Sequence, residues 1–569
     1  MAASKPQARA VPRSVWIDWF AQRPAWLLAV ATILVLLPFA GKPFNIDDPL
    51  FIWVAQHIRS HPMNPYGFSV NWYSYDWPLW SITKNPPLAC YYLAAVGSVF
   101  GWSEWVLHGA MLLPAIAVVL GTHRLANHFC QRPLLAAILA LFTPVFLVSA
   151  TTVMCDVLML AFWVWALVFW IEATERKRPG YFALAAMLMT LAALTKYFGA
   201  CLLPLVIAWS VAGKRPLKEW LGWLAIPAAA LIAYQLATRA LYGHGLLADA
   251  GKYATAIHQS AIALNIKSLL AALTFTGGCV AVITFFAPLL WPLRQLLLGA
   301  VMSVVIAVIF LVTIKGTFAV APGTLELAQI LFWSAGGIGL LALAIADLFR
   351  RRDADSLLLV CWLLGTFIFT AFFNWIVNGR SLLPLAIPGA ILVARRLEQR
   401  INSGAKFSPA TLVAPGAIGA LLAVWVAAAD YSFAAAPQVA ARAVHSAYAN
   451  DVHRLWFQGH WGFQYYLEKE GATALDLQHL HLTQGDHIAM PSDNSNVYPL
   501  KEPVVELETF SIPGGGWLTT MNKEIGAGFY ASLWGPLPFA FGVVPEQTVT
   551  IFAYDPSGEI QKAISQKAP

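Results

Sequence analysis

Apolar runs follow one another from Trp26 to residue 429, with mostly short connections after residue 104. Many approach the ~20 residues needed to cross a ~30 Å hydrocarbon core. Hydrophobic residues make up 59% of the chain and charged residues 11%, against roughly 45–50% and about 25% in ordinary globular proteins. The expected fold is a polytopic all-α membrane protein. About thirteen spans are expected, at 26–40, 105–125, 133–150, 153–172, 180–195, 198–213, 219–240, 268–291, 293–314, 325–349, 356–376, 381–396 and 409–429. The first reads as an uncleaved helix, because Pro38-Phe39-Ala40-Gly41-Lys42 is a poor cleavage site and many spans follow.

Basic residues sort the connections. With the N-terminus inside, the inner loops carry Arg124 and Arg132, Arg176-Lys177-Arg178, Lys214-Arg215, Arg294, Arg350-Arg351-Arg352 and Arg395-Arg396. The outer loops carry scattered single charges: Lys42, Arg59, Lys84, Lys196, Arg239, Lys252, Lys267, Lys315 and Arg380. This is the positive-inside pattern. It accounts for the net charge of +7 as topology, so no nucleic-acid partner is expected. An odd number of spans puts the C-terminus outside. All six cysteines lie in the apolar part, and no CxxC or Cys/His spacing suggests zinc.

Two regions interrupt the apolar pattern. Residues 42–104 form a first extracytoplasmic loop, with 49–60 and 87–100 apolar enough for helices on the membrane surface. From Asp430 polar residues become frequent. Stretches 487–490, 504–510 and 548–554 read as strands and 461–470 as a helix. The expected domains are therefore 1–429, the transmembrane part, and 430–569, a small α/β extracytoplasmic domain.

The unusual charges gather on the outer face. Asp47 and Asp48 follow the first span, Lys84-Asn85-Pro86-Pro87 closes the first loop, and Asp156 opens the fourth span. Lys196-Tyr197 occupies a tight outer turn, and Arg380 ends an outer connection. Charged residues at membrane boundaries are by default candidates for a functional site. Bland roles exist for each. Asp-Asp before Pro suits a turn or helix cap, Asp156 a cap, and Lys196 a side chain reaching for the interface. Arg380 also suits a juxtamembrane anchor. His57, His244 and His258 suit plain loop positions.

Together these types fit glycosyl transfer from a lipid phosphate. A carboxylate acts as general base on the acceptor, and Lys or Arg holds the departing phosphate. Spans packed around the loop provide an apolar slot for a lipid.

In order, these features resemble the GT-C glycosyltransferases of the family-39 type: protein O-mannosyltransferases, the lipid A aminoarabinose transferase, and the RgtA/B/C/D-like branch. The resemblance covers about 1–400. It rests on the acidic pair Asp47-Asp48 after span 1, Lys84-Asn85-Pro86-Pro87-Leu88, Asp156, the turn Leu194-Thr195-Lys196, and Arg380 followed by Pro384 and Pro388. It implies a polyprenyl-phosphate-linked sugar donor, inverting transfer, and a site facing away from the cytoplasm. Asp47 then matches the base, with Asp48 and Asp156 as further catalytic acids. Lys196 and Arg380 match positions near the donor phosphate, and Lys84 is a third candidate there, as a replacement for the basic residue that relatives often carry at Asn85. Asn85, Tyr197, His57 and His258 are candidates for substrate contact. Asp48 stands where the family usually has Glu, and Asn85 where relatives often carry a basic residue. The family is split on metal dependence, which leaves room for a divalent metal although no metal site is evident.

The expected function is a glycosyltransferase of the cell inner membrane, with a lipid, glycan or protein acceptor among membrane lipids. A lipid or sugar transporter would place charges near the midplane, often in repeated halves, and the sequence shows neither. A non-catalytic envelope assembly protein is the other alternative.

Overall fold

The computed structural model describes residues 23–256, 262–314, 323–448, 451–514 and 516–567. Among them six helices are long and apolar enough to cross a membrane: Glu104–Phe129, Asp156–Arg176, Leu217–Tyr242, Thr324–Arg351, Ala354–Phe373 and Pro409–Tyr448. A seventh span forms if Pro133–Leu141 and Pro144–Ala150, bent by 62°, are joined. The bend has a local cause. Pro144 has no N–H to donate and pushes Thr143 out of the helical region, to ψ 138.

The count of thirteen is not reached by length and composition. Pro24–Phe39, Pro179–Thr195, Tyr197–Ala212, Ile266–Cys279 and Leu293–Ile309 are apolar helices at expected span positions, but each has only 10–17 residues. The segment expected at 381–396 is broken into Gly379–Leu382, a 3-10 turn at Leu383–Leu385, and Ala386–Asn402.

Asp156–Arg176 packs between Glu104–Phe129 and Pro179–Thr195, with Trp163 and Trp170 fully buried. Elsewhere helices meet backbone to backbone. A Cβ at Gly277 would lie 1.9 Å from the Trp333 carbonyl, so Ile262–Cys279 and Thr324–Arg351 can approach only through glycine.

The first loop holds helices Asp48–Ser60 and Leu88–Phe100 and a small hairpin pairing Ser69–Asn71 with Asp76–Pro78. The helices form where the sequence placed them. However, Asp48–Ser60 buries Leu50, Phe51, Ile52, Val54, Ala55 and Ile58, and packs on Leu88–Phe100 and Trp461–Lys469. Its apolar face is therefore spent on protein.

The division expected at residue 430 falls inside a helix. Pro409–Tyr448 runs unbroken for 40 residues, because a shift toward polar composition supplies no helix stop. Beyond it lies a five-stranded sheet in the order Thr473–Ala474, Leu455–Phe457, His487–Pro491, Gln547–Tyr554, Val504–Ile512. Trp461–Lys469 connects two of its parallel strands. Val549, Ile551 and Ala553 alternate into the core, the period-2 pattern of a strand with one buried face. Two short antiparallel pairs, Leu518–Thr519 with Ala540–Phe541 and Met521–Asn522 with Ala527–Gly528, reach back into the helical part. There the Gly379 amide donates to the Phe529 carbonyl at 2.7 Å, and Gln329 bonds the Phe541 backbone through both ends of its amide.

Candidate active site

The adjacent acids Asp47 and Asp48 have opposite surroundings. Ile46, at φ +54°, turns the chain into the helix that starts at Asp48. Asp48 is fully buried. Its Oδ2 accepts from the Asn45 amide at 3.2 Å and its Oδ1 from the Val153 amide at 3.0 Å. Burial pushes its pKa up to about 7, against the pull of Lys42 and the two amides. Asp48 thus ties the first loop to the turn before Asp156, and its expected catalytic part is not supported by this placement. An Asp48→Asn variant would face one of these amides with an NH2 group. It should lose about 1–3 kcal/mol for the unpaired donors, read as a lower melting midpoint in detergent.

Asp47 keeps its side chain 31% exposed. Its Oδ2 accepts from Arg380 Nη2 at 2.7 Å. The other guanidinium nitrogen, Nη1, lies 3.8 Å from Asp156 Oδ2 and also touches the Met154 sulfur. Asp156 Oδ1 accepts from Lys196 Nζ at 2.5 Å. The result is an alternating row of four charges: Asp47, Arg380, Asp156, Lys196. Asp156 in its interior is 1% exposed, while Lys196 at the far end is 20% exposed. Arg380, at 15%, is nearly as open as Lys196, so of the four only Asp156 is shut away from a substrate.

Local sequence explains how each member is held. Asp156 is in the first turn of its helix, where a carboxylate meets the positive end of the helix dipole. Lys196 follows the last residue of Pro179–Thr195 in an extended conformation. Arg380 sits at the start of a short helix capped by Asn378, whose Oδ1 accepts from the Ser381 amide at 2.9 Å.

Several members of the site had no signal in the sequence. Lys42 pairs with Asp430, and both are buried. Asp430 also accepts from Thr520 Oγ1 at 2.8 Å and from Tyr530 Oη at 2.9 Å. The Arg380 guanidinium lies 5.7 Å from the center of the Tyr530 ring. The C-terminal segment therefore supplies one wall against which Arg380 is set. Lys42 reads in sequence as one more outer loop charge, and Asp430 as the first polar residue past a span. Their pairing over 388 positions leaves no local pattern.

The remaining expected residues stand apart from the row. Lys84 donates to the Ser81 carbonyl at 2.6 Å and lies over the Tyr253 ring at 5.3 Å; burial holds its pKa below the usual lysine range. The Asn85 carbonyl is held by Tyr66 Oη at 2.7 Å. Tyr197 Oη bonds Tyr234 Oη at 3.3 Å. His57 stacks on His61 and Phe68 at the other end of its helix. His258 lies outside the described residues. His460 is packed flat on Trp72 at 4.8 Å, and burial pushes its pKa down to about 3, so it stays neutral. Among the described residues no group of three His, Cys, Asp or Glu side chains gathers as a metal site.

Residues 84–236 match the family model described as dolichyl-phosphate-mannose-protein mannosyltransferase. The match bears out the resemblance to that family and spans Lys84, Asp156 and Lys196. No curated protein matches the chain. Among solved structures, ArnT from Cupriavidus metallidurans in the apo state is similar at 12% identity and a TM-score of 0.43, over 84% of this chain and 94% of that one. The same protein bound to undecaprenyl phosphate gives the same identity and score, over 85% and 94%. Arabinofuranosyltransferase AftD from Mycobacteria is similar at 14% identity and a TM-score of 0.39, over 94% of this chain and 40% of that one.

Proposed function

We propose, with the mannosyltransferase-family match over residues 84–236 as premise, that the chain transfers a sugar from a polyprenyl-phosphate donor to an acceptor at the extracytoplasmic face. The observation that carries this reading is the row Asp47–Arg380–Asp156–Lys196. It holds an open carboxylate at one end and two cations along it, which are the two functions the reaction requires.

In the proposed step, the Asp47 carboxylate takes the proton of the acceptor hydroxyl or amine. The acceptor atom forms its bond to the anomeric carbon as the bond from that carbon to the phosphate oxygen breaks. The electron pair leaves with the phosphate, which gains one negative charge. A single displacement of this kind inverts the anomeric center. Arg380 and Lys196 take up the new charge. Arg380 Nε is buried without an acceptor, an arrangement that costs about 1–3 kcal/mol and that a phosphate oxygen would relieve. Lys196 spends one of its three N–H groups on Asp156 and has others to offer. Asp156 stays buried and holds the two cations at a fixed spacing.

A lysine in place of Arg380 cannot reach Asp47 and Asp156 with separate nitrogens. Arg380→Lys and Lys196→Ala should each reduce transfer by roughly 10²–10³-fold, measured with radiolabeled polyprenyl-phosphate sugar and purified protein. Wild-type rates in both variants would overturn the phosphate assignment. Inversion is read from the anomeric configuration of the product by NMR. Assay after EDTA treatment, with and without added Mg2+ or Mn2+, tests whether a divalent ion shares the phosphate charge.

A further inference from the structure

A concave site lies between the first loop and the sheet region, apart from the row of charges. It is a cleft of about 740 Å³, within the range of small-molecule sites. One wall is the helix Asp48–Ser60, which begins beside Asp47. Trp53, Gln56 and His57 stand three and four residues apart and so share the face that lines the cleft. The hairpin contributes Asn71 and Asp76, and the opposite wall contributes Glu468, residues 472–474, Asp476, His479 and His481.

The lining has a definite chemistry. Trp53 is half-buried and offers an apolar, flat ring. Asp76 and Glu468 are exposed carboxylates, and no lysine or arginine lines the cleft. His57 carries a buried ring nitrogen, Nε2, without a hydrogen-bond partner. An aromatic face beside several acceptors of hydrogen bonds suits a sugar, whose C–H face packs on a ring while its hydroxyls donate outward. With no lysine or arginine beside them in the cleft, these carboxylates repel phosphate and favor hydroxyl or ammonium groups, although Glu468 already accepts from Gln464 Nε2 at 2.8 Å.

Position adds the third argument. Trp53 is six residues from Asp47, about 9 Å along the helix at ~1.5 Å per residue. The wall of the cleft therefore begins within about 10 Å of Asp47 along the helix and a partial turn around it. We infer that the cleft binds an oligosaccharide stretch of the acceptor, neutral or amine-bearing, beyond the unit that receives the sugar. This rests on the transferase reading above and assigns its acceptor to a glycan-containing class.

The test uses the full-length protein in detergent, with saturation-transfer NMR against three probes of matched length: a neutral hexose oligosaccharide, a deacetylated chito-oligosaccharide, and a phosphorylated hexose oligosaccharide. The neutral or the amine-bearing probe should bind and the phosphorylated one should not. Trp53→Ala should weaken binding at least about tenfold. Asp76→Asn, at an exposed position, and Glu468→Gln, which keeps an oxygen that can accept from Gln464 Nε2, should weaken the amine-bearing probe most. Asp47→Asn should bind as wild type does. Binding of the phosphorylated probe alone, no binding of any probe, or equal binding by wild type and all three cleft variants overturns the inference. Full transfer by Asp47→Asn with intact, cleft-dependent binding would instead overturn the catalytic reading and leave the cleft standing.

Discussion

Asp47→Asn should lower transfer by roughly 10²–10⁴-fold, the usual contribution of a positioned general base, with insertion and melting unchanged. The substitution preserves shape. Asn keeps a carbonyl that can accept from Arg380 Nη2, now 2.7 Å from Asp47 Oδ2. The side chain is 31% exposed, so the lost ion pair costs little stability. Asp156 stays 3.8 Å from Arg380 and keeps the cation in place, so donor binding should persist. What disappears is the ability to take a proton. Donor binding by the variant, measured beside transfer, separates this from collapse of the phosphate site. Near-normal transfer in a well-folded Asp47→Asn protein would sink the base assignment.

Asp430→Ala should be the most destabilizing single change in the site region, by about 3–5 kcal/mol, because it leaves a buried cation without its counter-charge. Lys42 is 2% exposed and Asp430 fully buried. Thr520 and Tyr530 would lose their acceptor at the same time. The double variant Lys42→Met with Asp430→Leu should recover most of the loss, since an apolar pair can replace a buried ion pair at little cost. Activity should not recover in parallel. Tyr530 lies beneath Arg380, and without Asp430 its hydroxyl no longer anchors the ring. Thermal melting in detergent and transfer rate, measured on the single and double variants, distinguish the two effects. Equal melting of Asp430→Ala and wild type would show that this network does not hold the C-terminal segment to the membrane helices.

The candidate site was partly legible in the chain order. Asp47, Asp156, Lys196 and Arg380 stood out as charges at the ends of apolar runs, and the structure brings those four into one row. Lys84 carried the same kind of signal but turns to Ser81 and Tyr253. A cation at a span end has several apolar and polar neighbors to choose from, and sequence position does not decide among them. The resemblance set Asp47 apart from Asp48 as the base, but it did not foretell how differently the two are buried. The burial of Asp48 depends on Val153, 105 positions away, so nothing local reveals it.

The fold divides in the same way. Apolar periodicity placed most helices, the two helices of the first loop and three strands of the sheet, because burial of a repeating apolar face follows directly from residue spacing. It did not reveal that Pro144 bends one segment by 62°, or that the last helix continues to Tyr448. Sequence alone determined that this chain belongs in a membrane and which charges it keeps beside the apolar runs. Only the tertiary structure decided which charges pair: Arg380 with Asp47 across 333 positions and Lys42 with Asp430 across 388. The reason is physical. Transfer of apolar groups out of water acts on each segment by itself, whereas a buried charge is tolerated only where the whole fold delivers its partner.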